Sequence, residues 1–320
     1  MRSLVHFVRR ILGMPAITKS LEDLHRKLSE ASSPASVPAP PPPATANALL
    51  GSTTEVRQFI SEAFLHGDGI EIGAFASPLW VSSQAHVRYV DKYELEQLDA
   101  SFKIAGLTLA DFGTDISAVI RPDIVDDGEC LAKVGDLSQD FVIANHVLEH
   151  FEDPIKGFKN MLRVLKHGGL LYLSLPEMRH SFDRTRSPTP FNHLLQDYEQ
   201  GPQGSRKTAY REFATIFAAH GMDKGLFPKR HGADLEKFEI DLATELDQAD
   251  FSIHFHAWTM DGMLDMFLKT KEACDLSFET RLVVKNHDEV IFIFEKTVPS
   301  VPKHPQATPS AAPPSSAVSQ

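Results

Sequence analysis

Acidic residues follow three short apolar segments of this 320-residue sequence, each where a buried strand would end. Glu71 lies in Gly-Ile-Glu-Ile-Gly, Asp91 closes Tyr-Val-Asp, and residues 123–129 form Asp-Ile-Val-Asp-Asp-Gly-Glu. A glycine beside an acid lets backbone approach a ligand, and an acid about 20 residues further on typically accepts hydrogen bonds from ribose hydroxyls. The third group suits the amino group and ring nitrogen of an adenine. The three segments therefore predict a site for an adenosine-containing cofactor.

The loop after Gly73 separates two classes of such cofactor. A nicotinamide-dependent oxidoreductase would use the same ribose acid, but it also requires a Gly-x-Gly-x-x-Gly loop for the pyrophosphate. Here residues 74–78 are Ala-Phe-Ala-Ser-Pro, without a second or third glycine. The sequence favours a cofactor without a diphosphate, and the oxidoreductase remains the less favoured alternative.

Two histidines, His146 and His150, come just after the next apolar segment, Phe141–Ala144. They stand on the side of the predicted sheet where an acceptor should enter. Because imidazole titrates near neutral pH, both are candidate general bases for deprotonating an alcohol. The alternative interpretation is that His150 only caps or packs the start of the next helix.

A metal site is not expected from the sequence. His254-Phe255-His256 could supply half of one, but no acidic partner stands at ligand spacing, so a packed or substrate-contacting strand is favoured. The two cysteines, Cys130 and Cys274, form no CxxC pattern. Their number and spacing argue against a disulfide framework or structural zinc and fit a reducing, cytoplasmic setting.

The elements that must position these residues alternate between strands and helices. Buried strands are predicted at 70–72, 87–90, 141–144 and 170–175, and helices at 54–66, 94–104, 154–165 and 260–271. Asp153 can cap the third helix with Pro154 in its first turn, and Lys166 to Gly169 should end it. Segments 281–284 and 290–294 predict an antiparallel hairpin. This pattern predicts an α/β fold with a doubly wound, mostly parallel Rossmann-like sheet and an antiparallel C-terminal hairpin.

Composition divides the chain into four parts. Residues 1–30 predict an amphipathic helix or short coiled coil, residues 31–48 a Pro/Ala-rich linker, and residues 298–320 a disordered tail. The working domain is expected at 49–297. Within it, residues of about 178–256 exceed what the minimal fold needs and predict a helical insertion that serves as a lid or substrate subdomain.

The net charge and the pattern of apolar residues limit which partners the chain can have. With 32 basic and 43 acidic residues the net charge is -11, which counts against a nucleic-acid substrate and leaves an RNA enzyme as a weak alternative. Residues 1–14 lack the unbroken apolar run of a membrane span. Their amphipathic pattern fits either packing on the protein or contact with the inner face of a membrane. The apolar seam at residues 17–28 is a candidate homo-oligomer contact.

Residues 69–175 resemble the class I S-adenosylmethionine-dependent methyltransferases, nearest to a bacterial type-11-like branch associated with cell-surface polysaccharide genes. The segments that carry the resemblance are GIEIGAFASPL, VRYVDKY, DIVDDGECL, DFVIANHVLEHFEDP and LRVLKHGGLLYLSLPE. A looser similarity extends over roughly 49–297. The departure is the glycine-poor first loop, where the family usually has more glycine.

The resemblance implies S-adenosyl-L-methionine as cofactor and O-methylation of a sugar, a glycan or a small molecule. It implies that Glu71 and Gly73 approach the amino-acid part of the cofactor and that Asp91 holds the ribose. The other implied cofactor-binding residues are Ala74 and Lys92, then Asp127, Gly128 and Glu129 at the adenine, and Asn145 and His146 beside the sulfonium. A catalytically inactive, cofactor-binding interaction module is the alternative from a different functional class.

Overall fold

The computed structural model describes residues 52–104, 108–109, 114–223 and 227–299. The predicted helix at 1–30 and linker at 31–48 lie outside the described residues, as does the tail beyond residue 299. The membrane contact and the oligomer seam proposed for the N-terminal segment lie outside them too. Within the described part of the chain, no helix combines the length and apolar character needed to cross a membrane.

A seven-stranded sheet organises the domain, in the strand order β3-β2-β1-β4-β5-β7-β6. Strands β1 to β5 run parallel to one another, whereas β7 is antiparallel to both β5 and β6. The mostly parallel sheet and the C-terminal hairpin are therefore confirmed. The strands are β1 Gly67–Ile72, β2 Ala85–Asp91, β3 Ile124–Val125, β4 Gln139–Asn145, β5 Leu165–Pro176, β6 Phe278–Asn286 and β7 Glu289–Lys296.

Helices cover both faces of this sheet, and local sequence explains where they begin. Ser52 and Glu55 form a capping box at the start of the first helix. The predicted cap at Asp153 is confirmed, since its side chain accepts a hydrogen bond from the Lys156 backbone at 2.9 Å. The helices are α1 Thr53–Phe64, α2 Leu95–Ile104, α3 Pro154–Val164, α4 Phe191–Gln200, α5 Gln203–Asp223, α6 Gly232–Gln248 and α7 Met260–Ala273.

Alternation along β4 divides the core into two layers. Val142 and Ala144 join the larger cluster, which contains Phe158 of α3, while Phe141 and Ile143 pack with residues of α1 on the other face. Successive side chains of a strand point to opposite faces, so a continuous apolar run is what a strand buried on both sides requires.

One predicted boundary is wrong. Residues Lys166 to Gly169 were expected to end a helix, but α3 already ends at Val164 and these residues belong to β5. Gln139 of β4 pairs with Leu165, and a Cβ at Gly169 would lie 3.0 Å from the Asp140 carbonyl oxygen. Gly169 therefore lets the first part of β5 approach β4 closely.

The segment predicted as a helical insertion contains α4, α5 and α6. After α6 the chain returns to the sheet, where the backbone N–H of Phe255 donates to the carbonyl of Glu149 at 2.9 Å. Residues 252–256 are thereby brought beside the turn that follows β4. The domain boundaries themselves stay predictions.

Candidate active site

The candidate site lies at the carboxyl edge of the sheet, where the strand order reverses between β1 and β4. Ile72 is in register with both Val90 of β2 and Ala144 of β4, and Val90 is in register with Ile124 of β3. The residues that follow these strands therefore share one edge. Open α/β sheets bind their ligands at this position.

Glu71 is buried, although it was expected to approach the cofactor. It is 1% exposed, and its carboxylate accepts hydrogen bonds from the Leu79 backbone at 2.9 and 3.1 Å. Burial raises its pKa to about 7, against the opposing effect of the Leu79 hydrogen bond. Glu71 thus fixes the loop of residues 73–79. Within that loop Gly73 is exposed with a φ of 66°, and Ala74 is buried.

Asp91 ends β2 at the predicted position and is half-buried. Burial raises the pKa of its carboxyl, and hydrogen bonds from the backbone of Tyr93 and Lys92 partly offset this effect. The Lys92 side chain turns away to pair with Asp250, just after α6. Asp91 therefore lies at the carboxyl end of β2, whereas Lys92 binds the segment that follows α6.

The acids after β3 have separate roles. Asp127 is exposed and accepts a hydrogen bond from the Glu129 backbone at 2.9 Å. Glu129 itself is mostly buried and pairs with Lys156 of α3 at 3.1 Å. Between them, a Cβ at Gly128 would lie 2.6 Å from Ile72 Cγ2, which explains the glycine. Of the three residues predicted at the adenine, Asp127 is the exposed one. Glu129 instead holds the turn to α3 through its ion pair with Lys156.

Asn145 ends β4 next to the loop that begins at Gly73, and His146 follows directly. Asn145 accepts a hydrogen bond from the Ser174 hydroxyl at 2.9 Å. His146 has a φ of 53°, a left-handed conformation that non-glycine residues adopt infrequently and often at functional sites. Its side chain is 31% exposed and lies between two carboxylates, with Nε2 3.0 Å from Glu289 and Nδ1 3.8 Å from Glu149.

These neighbours bear on the predicted roles of the two histidines. Burial would lower the pKa of His146, but the hydrogen bond to Glu289 and the charges of both carboxylates raise it, which favours the protonated ring. Burial and the charges of His254 and His146 hold the pKa of His150 well below its usual value. His150 Nδ1 lies 3.0 Å from the Ser252 hydroxyl. His150 thus contacts the returning insertion, and Asp153 caps α3 instead.

Sequence reasoning missed three buried acids near these histidines. Glu289 binds His146, Asp183 lies 2.7 Å from His254 Nδ1, and Glu149 is fully buried among the histidines. Asp183 and Glu289 are far from the histidines in sequence and gave no local signal. Glu149 stands in Leu-Glu-His, directly before His150, which is the one signal that could have indicated it.

The insertion packs over the cofactor edge. Phe217 of α5 and Phe251 join Phe75 of the loop after β1 in one apolar cluster, which also contains residues of α2. The rings of Phe102 and Phe251 lie edge-to-face with centroids 6.2 Å apart. A segment that follows β5 therefore covers the loops that follow β1 and β2.

The exposed and half-buried groups of this edge fit S-adenosyl-L-methionine. That molecule presents ribose hydroxyls and an adenine but no diphosphate. Asp91 and Asp127 supply carboxylate acceptors on adjacent strand ends, and the exposed backbone of Gly73 lies next to them. These acceptors suit hydroxyl and amino donors and would repel a pyrophosphate.

Comparison with known proteins agrees with this assignment. Residues 93–173 match the family model described as "Methyltransferase domain". No curated protein matches the chain.

Three solved structures are similar to this chain at low sequence identity. A candidate S-adenosyl-L-methionine-dependent methyltransferase of Methanococcus maripaludis is 17% identical, covering 74% of this chain and 80% of its own, with a TM-score of 0.34. A methyltransferase of Thermotoga maritima is 12% identical, with coverages of 77% and 92% and a TM-score of 0.36. One of Aquifex aeolicus is 11% identical, with coverages of 73% and 84% and a TM-score of 0.30. Similarity this low carries no argument about activity. Residues 93–173 are thus similar to a methyltransferase domain, and the sheet has the mostly parallel, Rossmann-like arrangement of the class I S-adenosylmethionine-dependent methyltransferase fold.

Proposed function

We propose that this enzyme methylates an oxygen atom of a sugar, a glycan or another small acceptor. The acceptor would enter between the end of β4 and the returning segment 252–256. The observation that supports the proposal is that His146 and His150 follow β4 at the carboxyl edge of the sheet, near the residues that suit the cofactor.

Three residues would hold the cofactor. Asp91 would accept hydrogen bonds from the ribose, Asp127 would face the adenine, and the Gly73 backbone would approach the amino-acid part. When bound, S-adenosyl-L-methionine supplies a methyl group already activated by the sulfonium. The protein's main contribution is then to hold the acceptor oxygen in line with that methyl group.

An alcohol also has to lose its proton as the new bond forms. We assign this role to His150, because its lowered pKa keeps the ring neutral and its Nδ1 lies 3.0 Å from the Ser252 hydroxyl, which orients the ring. His146 lies between Glu149 and Glu289, so it would contribute positive charge and orientation. A base of this kind contributes about 10²- to 10⁴-fold to a rate.

Binding is tested first, by calorimetric titration of the full chain with S-adenosylhomocysteine and, separately, NADH. We expect S-adenosylhomocysteine, the product of the cofactor, to bind and NADH not to bind. Asp91→Ala should weaken product binding, whereas Asp265→Asn, an exposed acid of α7, should leave it unchanged. If Asp91→Ala binds S-adenosylhomocysteine as tightly as the wild type does, the proposed site is wrong.

Transfer is tested with methyl-labelled S-adenosylmethionine and separate pools of free monosaccharides, bacterial polysaccharide and RNA. Label in a base-stable methyl ether of a sugar or glycan would support the proposal. Label in RNA alone, or on nitrogen alone, would overturn it. Product binding without transfer to any pool would favour the inactive interaction module.

A further inference from the structure

A buried carboxylate that has no hydrogen-bond partner in the part of the chain that the structure describes lies next to the candidate acceptor site. Glu149 is 0% exposed, and neither of its carboxylate oxygens has a hydrogen-bond partner among the described residues. Burying an acid in this way is costly unless a cation or donors compensate it. The surroundings of Glu149 therefore indicate what it could bind.

Three histidines surround this carboxylate. His254 Nε2 lies 4.0 Å and His146 Nδ1 3.8 Å from Glu149 Oε1. Ligand atoms of Glu149, His150 and His254 all lie within 4.8 Å of one another. Two imidazoles and one carboxylate thus lie close enough together to share one metal ion.

The Nδ1 atom of each of these two histidines lies close to an oxygen atom. His254 Nδ1 lies 2.7 Å from Asp183 Oδ2, and His150 Nδ1 lies 3.0 Å from Ser252 Oγ. Asp183 is buried and is itself bound by Arg186 at 3.0 Å. A histidine that ligates a metal almost always donates its other N–H to such a partner, which fixes the ring and its tautomer.

We propose that Glu149, His150 and His254 bind a divalent transition-metal ion of the Zn²⁺ type. The same set of two histidines and one carboxylate occurs in catalytic zinc sites and in non-haem iron sites. Bonds of about 2.0–2.2 Å place tetrahedral ligand atoms about 3.4 Å apart, so atoms now within 4.8 Å of one another have to approach by at most about 1.4 Å. His146 Nδ1 or a water molecule would complete the coordination.

This proposal departs from the expectation that the chain has no metal site. The sequence lacked an acid at ligand spacing from His254, and the fold supplies one from the turn after β4. The distances among Glu149, His150 and His254 support the metal site independently of the proposed acceptor. If both proposals hold, His150 acts as a ligand, and the ion would acidify a hydroxyl bound at its open position.

The test uses the full chain, stripped with a chelator and titrated with Zn²⁺, Co²⁺ or Mg²⁺ in competition with a chromophoric chelator. We expect one tightly bound Zn²⁺ or Co²⁺ per chain and much weaker Mg²⁺ binding. Glu149→Gln and His254→Gln should each weaken Zn²⁺ binding more than 10-fold, and Asp183→Asn about 10- to 100-fold. His86→Gln, an exposed histidine at the start of β2, is the control and should leave binding unchanged.

Zinc-edge X-ray absorption of the zinc-loaded wild-type protein identifies the atoms that coordinate the ion. This measurement does not depend on whether the variants fold. Imidazole and oxygen ligands are expected. Sulfur ligands, absence of binding to the wild-type chain, a preference for Mg²⁺, or unchanged binding in folded Glu149→Gln protein would each overturn the proposal. Titration with S-adenosylhomocysteine on the same samples separates this outcome from failure of the cofactor site.

Discussion

Glu289 Oε2 lies 3.0 Å from His146 Nε2, so the first residue of β7 holds the residue that follows β4. The same carboxylate accepts hydrogen bonds from Arg57 Nε of α1 at 2.8 Å and from Asn286 Nδ2 at 2.6 Å. Burial would raise the pKa of Glu289, but its hydrogen bonds with Arg57 and His146 and their charges hold that pKa well below its usual range. One ionised carboxylate therefore joins three elements behind the candidate site.

Glu289→Gln should destabilise the protein strongly. It leaves Arg57 and His146 without their shared counter-charge, and breaking a buried ion pair from one side costs about 3–5 kcal/mol. Urea denaturation at pH 7.5 measures the free energy of unfolding. Glu295→Gln is the matched control, because its ion pair with Arg281 is partly exposed and should be worth no more than about 1 kcal/mol. Equal losses in the two variants would contradict the role assigned to Glu289.

Glu71→Gln should make the protein more stable at pH 8 than the wild type. The folded pKa of about 7 exceeds the ordinary value of 4.5, so between these values the folded state keeps a proton that the unfolded chain has released. Stability from this group therefore falls as pH rises from 4.5 to 7, by about 3 kcal/mol in all. Glutamine stays neutral and keeps an oxygen for the Leu79 N–H.

Urea denaturation at pH 5 and pH 8 measures the free energy of unfolding of both proteins. The difference in favour of Glu71→Gln should grow with pH. An advantage that does not change would show that Glu71 is ionised in the fold.

Gly128→Ala should displace the turn that faces the adenine. Its new Cβ would lie 2.6 Å from Ile72 Cγ2 and 3.3 Å from Phe151 Cζ, so the turn must move outward. We expect a loss of about 1–3 kcal/mol in stability and weaker binding of S-adenosylhomocysteine, measured by denaturation and calorimetry. Gly204→Ala in the first turn of α5 is the control. No described atom lies within 4 Å of that new Cβ, so it should not weaken either property.

Phe251→Ala should weaken cofactor binding even though Phe251 is not expected to touch the cofactor. Its ring packs on Phe102 and belongs to the cluster that contains Phe75 of the loop after β1. Without it the insertion holds that loop less firmly, and the binding-competent state is less populated. Calorimetry should show an affinity for S-adenosylhomocysteine lowered by about 10-fold, equivalent to about 1.4 kcal/mol. Phe59→Ala, 73% exposed on α1, should bind as the wild type does. If Phe251→Ala also binds S-adenosylhomocysteine as the wild type does, packing of the insertion on the loop after β1 does not affect cofactor affinity.

Local sequence by itself determined most of the fold. The apolar run of β4, the cap at Asp153 and the hairpin around residues 287–288 were all predictable, because burial period, capping and turn chemistry act over a few residues. Asp91 and Asp127 were predictable as neighbours for a related reason. Neighbouring parallel strands have their carboxyl ends at the same edge of the sheet. The residues that end β2 and follow β3 are therefore close together, however long the connection between the two strands is.

Only the tertiary structure decided which distant side chains meet. Lys92 was expected at the cofactor but pairs with Asp250, 158 residues away, and Glu71 faces the interior. The meeting of Glu149, His254 and Asp183 likewise depends on how the insertion returns to the sheet. A residue pattern specifies which face of an element is buried, but the partner on that face is set by packing across the whole domain.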